Sequence, residues 1–277
     1  MTRQTPISSS SGVQRARGAV SLGVQRVAQG GSGLKTLRQE GSLRAIFPKA
    51  PRGALDAVIL NTAGGVTGGD QFSVSASAGC GAQVSLTTQA AERIYRAAGP
   101  EAGRMTTSLR AEAGAQVFWL PQETILFEGS RLQRRLAVQL DQSARFLMVE
   151  PLVFGRAASG EALTSCTITD TVSIMSGDQP VYLDRFSLSG HIAASLSRPA
   201  IARGAGAMAS VVLVAPDAHR HLEACRALLP VSAGVSALRD TVLVMRCLAE
   251  DSFALRGMIL PVLRLLTNDA VPKNWRL

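Results

Sequence analysis

Aromatic residues make up only 4% of the 277-residue chain. Stacking platforms for single-stranded nucleic acid are therefore not expected. Histidine occurs three times and cysteine four times, which leaves little material for a dense soft-metal cluster. Cys80, Cys166, Cys225 and Cys247 lie far apart with no CxxC pair. They read as buried free thiols of a reducing compartment, not as a disulfide framework. Uninterrupted apolar runs long enough to span a bilayer are absent. No apolar segment follows the basic start, which excludes a secretory signal on pattern. HExxH and GxSxG are also missing, so familiar hydrolase chemistry has no support.

What the chain does have is positive charge, with 29 Lys+Arg against 20 Asp+Glu, a formal net charge of +9. A basic balance raises nucleic acid or an anionic membrane surface as partner. The charge is uneven. Residues 1–52 carry nine basic residues and one acid, Glu40, while residues 53–277 are close to neutral. Residues 1–33, rich in Ser, Gly, Gln and Arg and free of acids, are expected to form a disordered basic extension. They also have the composition of a transit peptide, but their apolar positions make no helical face. The remainder, 34–277, is expected to be one body without a linker.

Hydrophobic residues reach 46%, enough for a large core. Their period from about residue 53 is two. Phe72, Val74, Ala76 and Ala78 alternate with polar residues, Gly79-Cys80-Gly81 turns the chain, and Ala82, Val84 and Leu86 alternate again. Similar pairs flank Gly114 and Asp141–Ser143, so the pattern predicts successive hairpins over the β-rich part, 34–208. Segments 165–175 and 181–188 continue it. Residues 209–277 read as β-α-β-α: strand 209–215, a helix capped by Asp217 and stopped by Pro230, strand 241–249, and a helix from Ser252 that Pro261 kinks or splits. The expected fold is mainly β, a twisted stack of antiparallel or mixed strands, with a small C-terminal α/β portion carrying two helices.

Asn61-Thr62-Ala63-Gly64-Gly65-Val66-Thr67-Gly68-Gly69-Asp70 is the most unusual stretch. It lacks the Gly-Lys-Ser/Thr of a phosphate loop, and a strand pattern follows it. Gly204-Ala205-Gly206-Ala207-Met208-Ala209 fits a dinucleotide fingerprint on paper, yet precedes a strand instead of a helix. His219 and His221, two apart on a helix, point to different faces.

The glycine-rich stretch closely resembles the signature of the urease accessory protein UreD family, also called UreH. Further blocks follow in the family's order: Thr87 to Arg96, Trp119 to Phe127, Glu150 through Arg156 with Gly160-Glu161, Arg198-Pro199, Leu255-Arg256 and Pro272 to Trp275. The resemblance spans roughly residues 34–277. It implies a non-catalytic cytoplasmic maturation factor that works with UreF and the GTPase UreG on apo-urease. Nickel would be bound transiently while it is inserted, with no tightly held cofactor and no nucleic-acid or membrane partner. The alternative from another class is a nucleic-acid- or membrane-surface-binding protein acting through the N-terminal segment.

A transfer scaffold must not hold nickel tightly, so isolated carboxylates suit it better than a His/Cys cluster. Glu150 is the first candidate. It follows Phe146 and Met148 at steps of two, hence on their strand face. If that face is inward, its charge needs a partner, Arg156 or another arginine, or else water. Asp70, Glu123 and Glu161 are weaker metal-path candidates, each also readable as a turn or hydrogen-bonding residue. Arg93, Tyr95 and Arg96 are candidates for a partner-facing patch, or for a structural contact to the glycine loop.

Overall fold

The alternating segments predicted from the sequence form strands, and the computed structural model describes them over residues 14–28, 30–49, 53–156 and 159–276. In chain order the strands are β1 (Arg17–Arg26), β2 (Ser32–Gly41), β3 (Leu43–Ile46), β4 (Leu55–Asn61), β5 (Gln71–Ala78), β6 (Gln83–Thr88) and β7 (Glu92–Ile94). Next come β8 (Gly103–Ala111), β9 (Gln116–Trp119), β10 (Thr124–Leu126), β11 (Arg131–Leu140), β12 (Arg145–Phe154), β13 (Cys166–Ser176) and β14 (Gln179–Gly190). Helix α1 (Ile192–Ser197), β15 (Ala207–Val214), α2 (Leu222–Leu228), β16 (Ala233–Arg239), β17 (Val242–Ala249) and α3 (Ser252–Thr267) complete the order. The fold is mainly β with mixed sheets, as the periodicity requires, and two of the three α-helices among the described residues lie in the C-terminal region.

Two sheets organise the chain. One has seven strands in the order β14-β13-β11-β8-β5-β1-β2, and the other has ten, running β16-β17-β15-β12-β9-β6-β4-β3 with β10 and β7 beside β12. From β4 to β13 the chain crosses from one sheet to the other, so β5, β8, β11 and β13 are parallel neighbours, as are β4, β6, β9 and β12. This corrects the expected hairpins. The turns after β5, β8 and β11 are arches between sheets, and they stack. Gly81 N–H donates to Ala113 O (2.9 Å), and Gly114 N–H donates to Ser143 Oγ (2.9 Å). A hairpin and an arch bury the same alternate residues, so a period of two cannot tell them apart. In an arch the two strands meet face to face instead of edge to edge. β13 and β14 do form an antiparallel hairpin.

The N-terminal expectation also changes. Residues 1–13 lie outside the described residues, but β1 is a strand of the seven-stranded sheet, parallel to β5, with Val20, Leu22 and Val24 buried. Val20, Leu22 and Val24 alternate across Arg17–Arg26, a signal that the polar composition of the stretch obscured.

The inner faces of the two sheets pack together through residues such as Val74, Leu86, Leu136, Phe146 and Ile168. The other face of the ten-stranded sheet, with Leu147, Val149 and Leu213, packs on Leu255, Ile259 and Leu266 of α3 and on Trp275. The C-terminal portion differs from expectation in detail. Asp217 makes no side-chain cap and instead accepts from Arg145 Nη1 (2.7 Å). Asp251 caps α3, which runs unbroken through Pro261. Strand β16 and helix α1 were not anticipated. Of the cysteines, Cys166, Cys225 and Cys247 are buried, whereas Cys80 is exposed on its turn.

Candidate functional site

Strand alternation aims three charged side chains into the space between the sheets. Glu150 on β12 shares the inward face of Phe146 and Met148. Arg134 on β11 stands in phase with Leu132 and Leu136, and Asp170 on β13 is its registered neighbour. Arg134 Nη2 donates to Asp170 Oδ2 (2.6 Å), and Nη1 lies 2.5 Å from Glu150 Oε2. The triad therefore ties one sheet to the other. Trp119 Nε1 of β9 donates to Glu150 Oε1 (2.7 Å), and Arg134 Nη1 donates to Thr124 Oγ1 (3.1 Å). The Arg134–Glu150 contact is ionic, leaving Oε2 without a hydrogen-bond donor. The partner of Glu150 is Arg134, and Arg156 pairs with Glu161 instead.

Burial pushes the Glu150 carboxyl upward, with the Asp170 charge adding to it; Arg134 and the Trp119 N–H pull the other way without cancelling it. Burial alone would loosen the proton on Arg134, but the two carboxylates more than offset that and hold it firmly cationic.

Beside the triad lies a cavity of about 200 Å³. Its closed end is formed by Trp119, Thr124, Arg134 and Glu150, all largely buried, and its mouth by Gly64, Gln89, Ala90 and Glu92. Gln122 Nε2 and Arg134 Nε, on two of the lining residues, have no hydrogen-bond partner among the described residues. Buried polar atoms without protein partners call for water or polar cargo in the cavity they line.

The mouth is built by the glycine-rich loop. Asn61 organises it: Oδ1 accepts from Ala63 N (3.0 Å), while Nδ2 donates to Gly65 O (3.0 Å) and to Glu92 Oε1 (3.1 Å). The loop backbone pairs with the 93–95 segment, Val66 N donating to Arg93 O (2.8 Å) and Tyr95 N to Val66 O (2.7 Å). Gly65 has φ +152°, and a Cβ there would lie 2.3 Å from the Tyr95 ring. Glycine is thus required by close approach as well as by backbone angle. Glu92 is half-buried at this mouth. Burial pushes its carboxyl up to about 7, against the weaker pull of Asn61, the Arg93 backbone N–H and the Arg93 charge.

The remaining candidates lie elsewhere. Asp70 accepts from Ala16 N and Thr67 N, both 2.8 Å, and staples the start of β1 to the loop. Glu123 accepts from Arg256 (3.0 Å), whose guanidinium also covers Trp275. Glu161 accepts from Arg156 (3.0 Å) and from Glu128 N (3.2 Å). Tyr95 donates to Gly64 O (3.2 Å) and meets Phe127 edge to face, which places it under the loop. Arg93 and Arg96 are exposed. His219 and His221 have separate partners, Asp240 O and Arg145.

Arg134, Asp170 and Glu92 were missed as site residues. Arg134 and Asp170 carried a signal, since each is a charge at an inward phase of an alternating strand. Among the described residues, no three His, Cys, Asp or Glu side chains gather to hold a metal ion, and no helix is long and apolar enough to cross a membrane.

This is a two-sheet β fold whose largely apolar interior holds a buried carboxylate–arginine tie beside a cavity. Residues 16–276 match the family model described as UreD urease accessory protein. A protein of Roseobacter denitrificans named urease accessory protein UreD is 48% identical over 263 residues, covering 95% of this chain and 96% of its own. One of Ruegeria pomeroyi with the same name is 50% identical over 244 residues, 88% of this chain and 95% of its own. Another, of Brucella suis, is 42% identical over 267 residues, 95% of each. The chain belongs to the UreD family of urease accessory proteins. The match begins at residue 16, so β1 is part of the shared fold and not a separate extension.

Proposed function

We propose that the chain is a non-catalytic scaffold for urease maturation in the cytoplasm. It works with UreF and UreG, docks on apo-urease, and passes nickel in transit through the cavity between its sheets. The observation that carries this reading is the cavity itself: a space open at the glycine-rich loop whose lining includes Glu92, Glu150 and the unpartnered Gln122 Nε2 and Arg134 Nε. Oxygen ligation by scattered carboxylates gives weak, reversible nickel binding, which suits handing over. In this reading Glu150 lines the inner end of the passage, while Asp70, Glu123 and Glu161 hold the fold around it.

Co-expression with UreF, UreG and apo-urease tests the scaffold. The chain is expected to co-purify with them, and failure to do so at any salt concentration sinks the reading. A cavity-filling variant tests the passage. Thr107 lines the cavity from β8, and Thr107→Phe should keep complex formation while lowering the nickel content of urease. Unchanged loading would rule out this route.

A further inference from the structure

The outer face of the seven-stranded sheet is strongly one-sided in charge. Six exposed arginines stand on it: Arg17 on β1, Arg104 and Arg110 on β8, Arg131 and Arg135 on β11, and Arg185 on β14. None of the six side chains has a hydrogen bond or an ion pair among the described residues. A seventh, Arg38 on β2, pairs with Glu40, the one acid on this face of the strands. Seven arginines against one carboxylate place +6 of the chain's net +9 here. Strand alternation accounts for the placement. Leu109 on β8 and Leu132, Leu136 and Val138 on β11 take the inward positions, so the arginines of those strands face out.

Register sets the spacing. Arg17, Gln71 and Arg104 are neighbours across β1, β5 and β8, and Arg135, Thr171 and Arg185 across β11, β13 and β14. The arginines of each row therefore lie two strand spacings, about 10 Å, apart. Arg135 registers with Thr106, two residues along from Arg104. These four arginines form a line across the sheet, too widely spaced to share one carboxylate. The floor between the charges is low. One register row runs Ser21, Ser75, Ser108, Ala137 and Ser173, and it floors an open hollow of about 510 Å³ beside Arg110. A second hollow, of about 430 Å³, is bordered by Arg17 and Arg104 over Gln71 and Ser73. The seven strands span about 29 Å and run about 25 Å, roughly 700 Å² of surface. One partner in a standard protein–protein interface contributes about 800 Å².

We propose that this face docks an acidic protein surface, whose carboxylates pair with the exposed arginines and whose side chains enter the two hollows. Guanidinium forks take carboxylates in bidentate fashion. Other anionic partners fit less well. Among the described residues the outward positions carry no aromatic ring to stack on single-stranded nucleic acid. A sheet this wide does not enter the roughly 12 Å major groove of a duplex. Leu183 is the one exposed large apolar residue on the face, too little to anchor it in a bilayer. The face rests on charge and shape. That its occupant belongs to the maturation complex rests on the scaffold reading, which it deepens.

Two triple variants of the full chain, with equal changes in net charge, decide the matter. One reverses the face with Arg104→Glu, Arg135→Glu and Arg185→Glu. The other reverses three exposed arginines away from it, with Arg220→Glu, Arg239→Glu and Arg264→Glu. Binding to immobilised UreF, UreG and apo-urease, each in turn, is read at 50 and 500 mM NaCl. The face variant should lose at least about tenfold in affinity for one of the three at low salt, and the loss should shrink at high salt as charges are screened. The control variant should stay within about threefold of the parent. If the face variant does not fold, the single reversals Arg104→Glu and Arg135→Glu replace it. Undiminished binding of all three proteins by the face variant, or an equal loss in the control, overturns the proposal. A loss confined to duplex DNA or to phosphatidylserine vesicles, run in parallel, does so as well. Retention on poly-L-glutamate separates the two readings. A parent that binds none of the three proteins, but whose retention falls only in the face variant, keeps the face and sinks the scaffold; unchanged retention sinks both. Partners bound equally by parent and face variant keep the scaffold and sink the face.

Discussion

Replacing Glu92 with glutamine should make the chain more stable at alkaline pH. The Glu92 carboxyl titrates near 7 in the folded chain, against an ordinary value of 4.5, because the mouth of the cavity strips water from its charge. The folded state thus holds this proton more tightly than the unfolded state. Below pH 4.5 both states are protonated and Glu92 contributes nothing differential. Between 4.5 and about 7 the unfolded chain has lost the proton and the folded chain keeps it, so stability falls as pH rises. Above about 7 the full cost is present and constant. Each pH unit of that window is worth about 1.4 kcal/mol. Partial solvent access reduces the total to about 2–3 kcal/mol.

Glu92→Gln keeps an acceptor for Asn61 Nδ2 and removes the charge. Urea denaturation of the parent and the variant between pH 4 and 9 provides the test. The curves should coincide near pH 4 and separate progressively, with the variant more stable by about 2–3 kcal/mol at pH 8. Parallel curves, or a variant less stable at pH 8, would refute the account of a desolvated, unpaired carboxylate.

Further outcomes follow from the same geometry. Arg134→Ala leaves Glu150 and Asp170 buried without their cation, and should cost about 3–5 kcal/mol in chemical denaturation. Gly65→Ala drives a Cβ into the Tyr95 ring and should lower stability by about 3 kcal/mol. Gly64→Ala, where a Cβ meets nothing within 4 Å, should cost only the left-handed backbone strain of about 1–2 kcal/mol in the same chemical denaturation. Burial pushes the Cys225 and Cys247 thiols up to about 11, so native-state alkylation followed by mass spectrometry should label the exposed Cys80 first.

Much of this fold was legible because alternation reports which residues face inward, and that is a local property. Which strand an inward face then meets is not local. Phe72–Ala78 and Ala82–Leu86 alternate as a hairpin would, yet they lie in different sheets, because the stacked turns at 79–82, 112–115 and 141–144 satisfy one another instead of closing ladders. β1 escaped notice for a related reason. Its Ser, Gly and Gln residues face out or fit against neighbouring strands, and a Cβ at Gly18 would meet the Leu43 backbone at 2.7 Å. Composition registered those residues as disorder, whereas Val20, Leu22 and Val24 were the informative ones.

The site shows the same division between phase and partner. Glu150 could be placed on the inner face by counting from Phe146 and Met148, but counting along one strand cannot say what neutralises it. The answer lay 16 residues upstream, in the one non-apolar member of the series Leu132, Arg134, Leu136, Val138, Leu140, and again in the series Ile168, Asp170, Val172. An inward charge on a strand is costly alone, so inward charges of opposite sign on neighbouring strands imply one another. Applied to this chain, that rule pairs Arg134 with Glu150 and Asp170. Glu92 stands on a three-residue strand too short to show a phase, and the Arg93 charge beside it only weakly offsets its burial. The carboxylate that counting along the strand singled out is therefore held in the tie between the sheets, and the carboxylate it passed over sits at the cavity mouth against the neutral Asn61 amide.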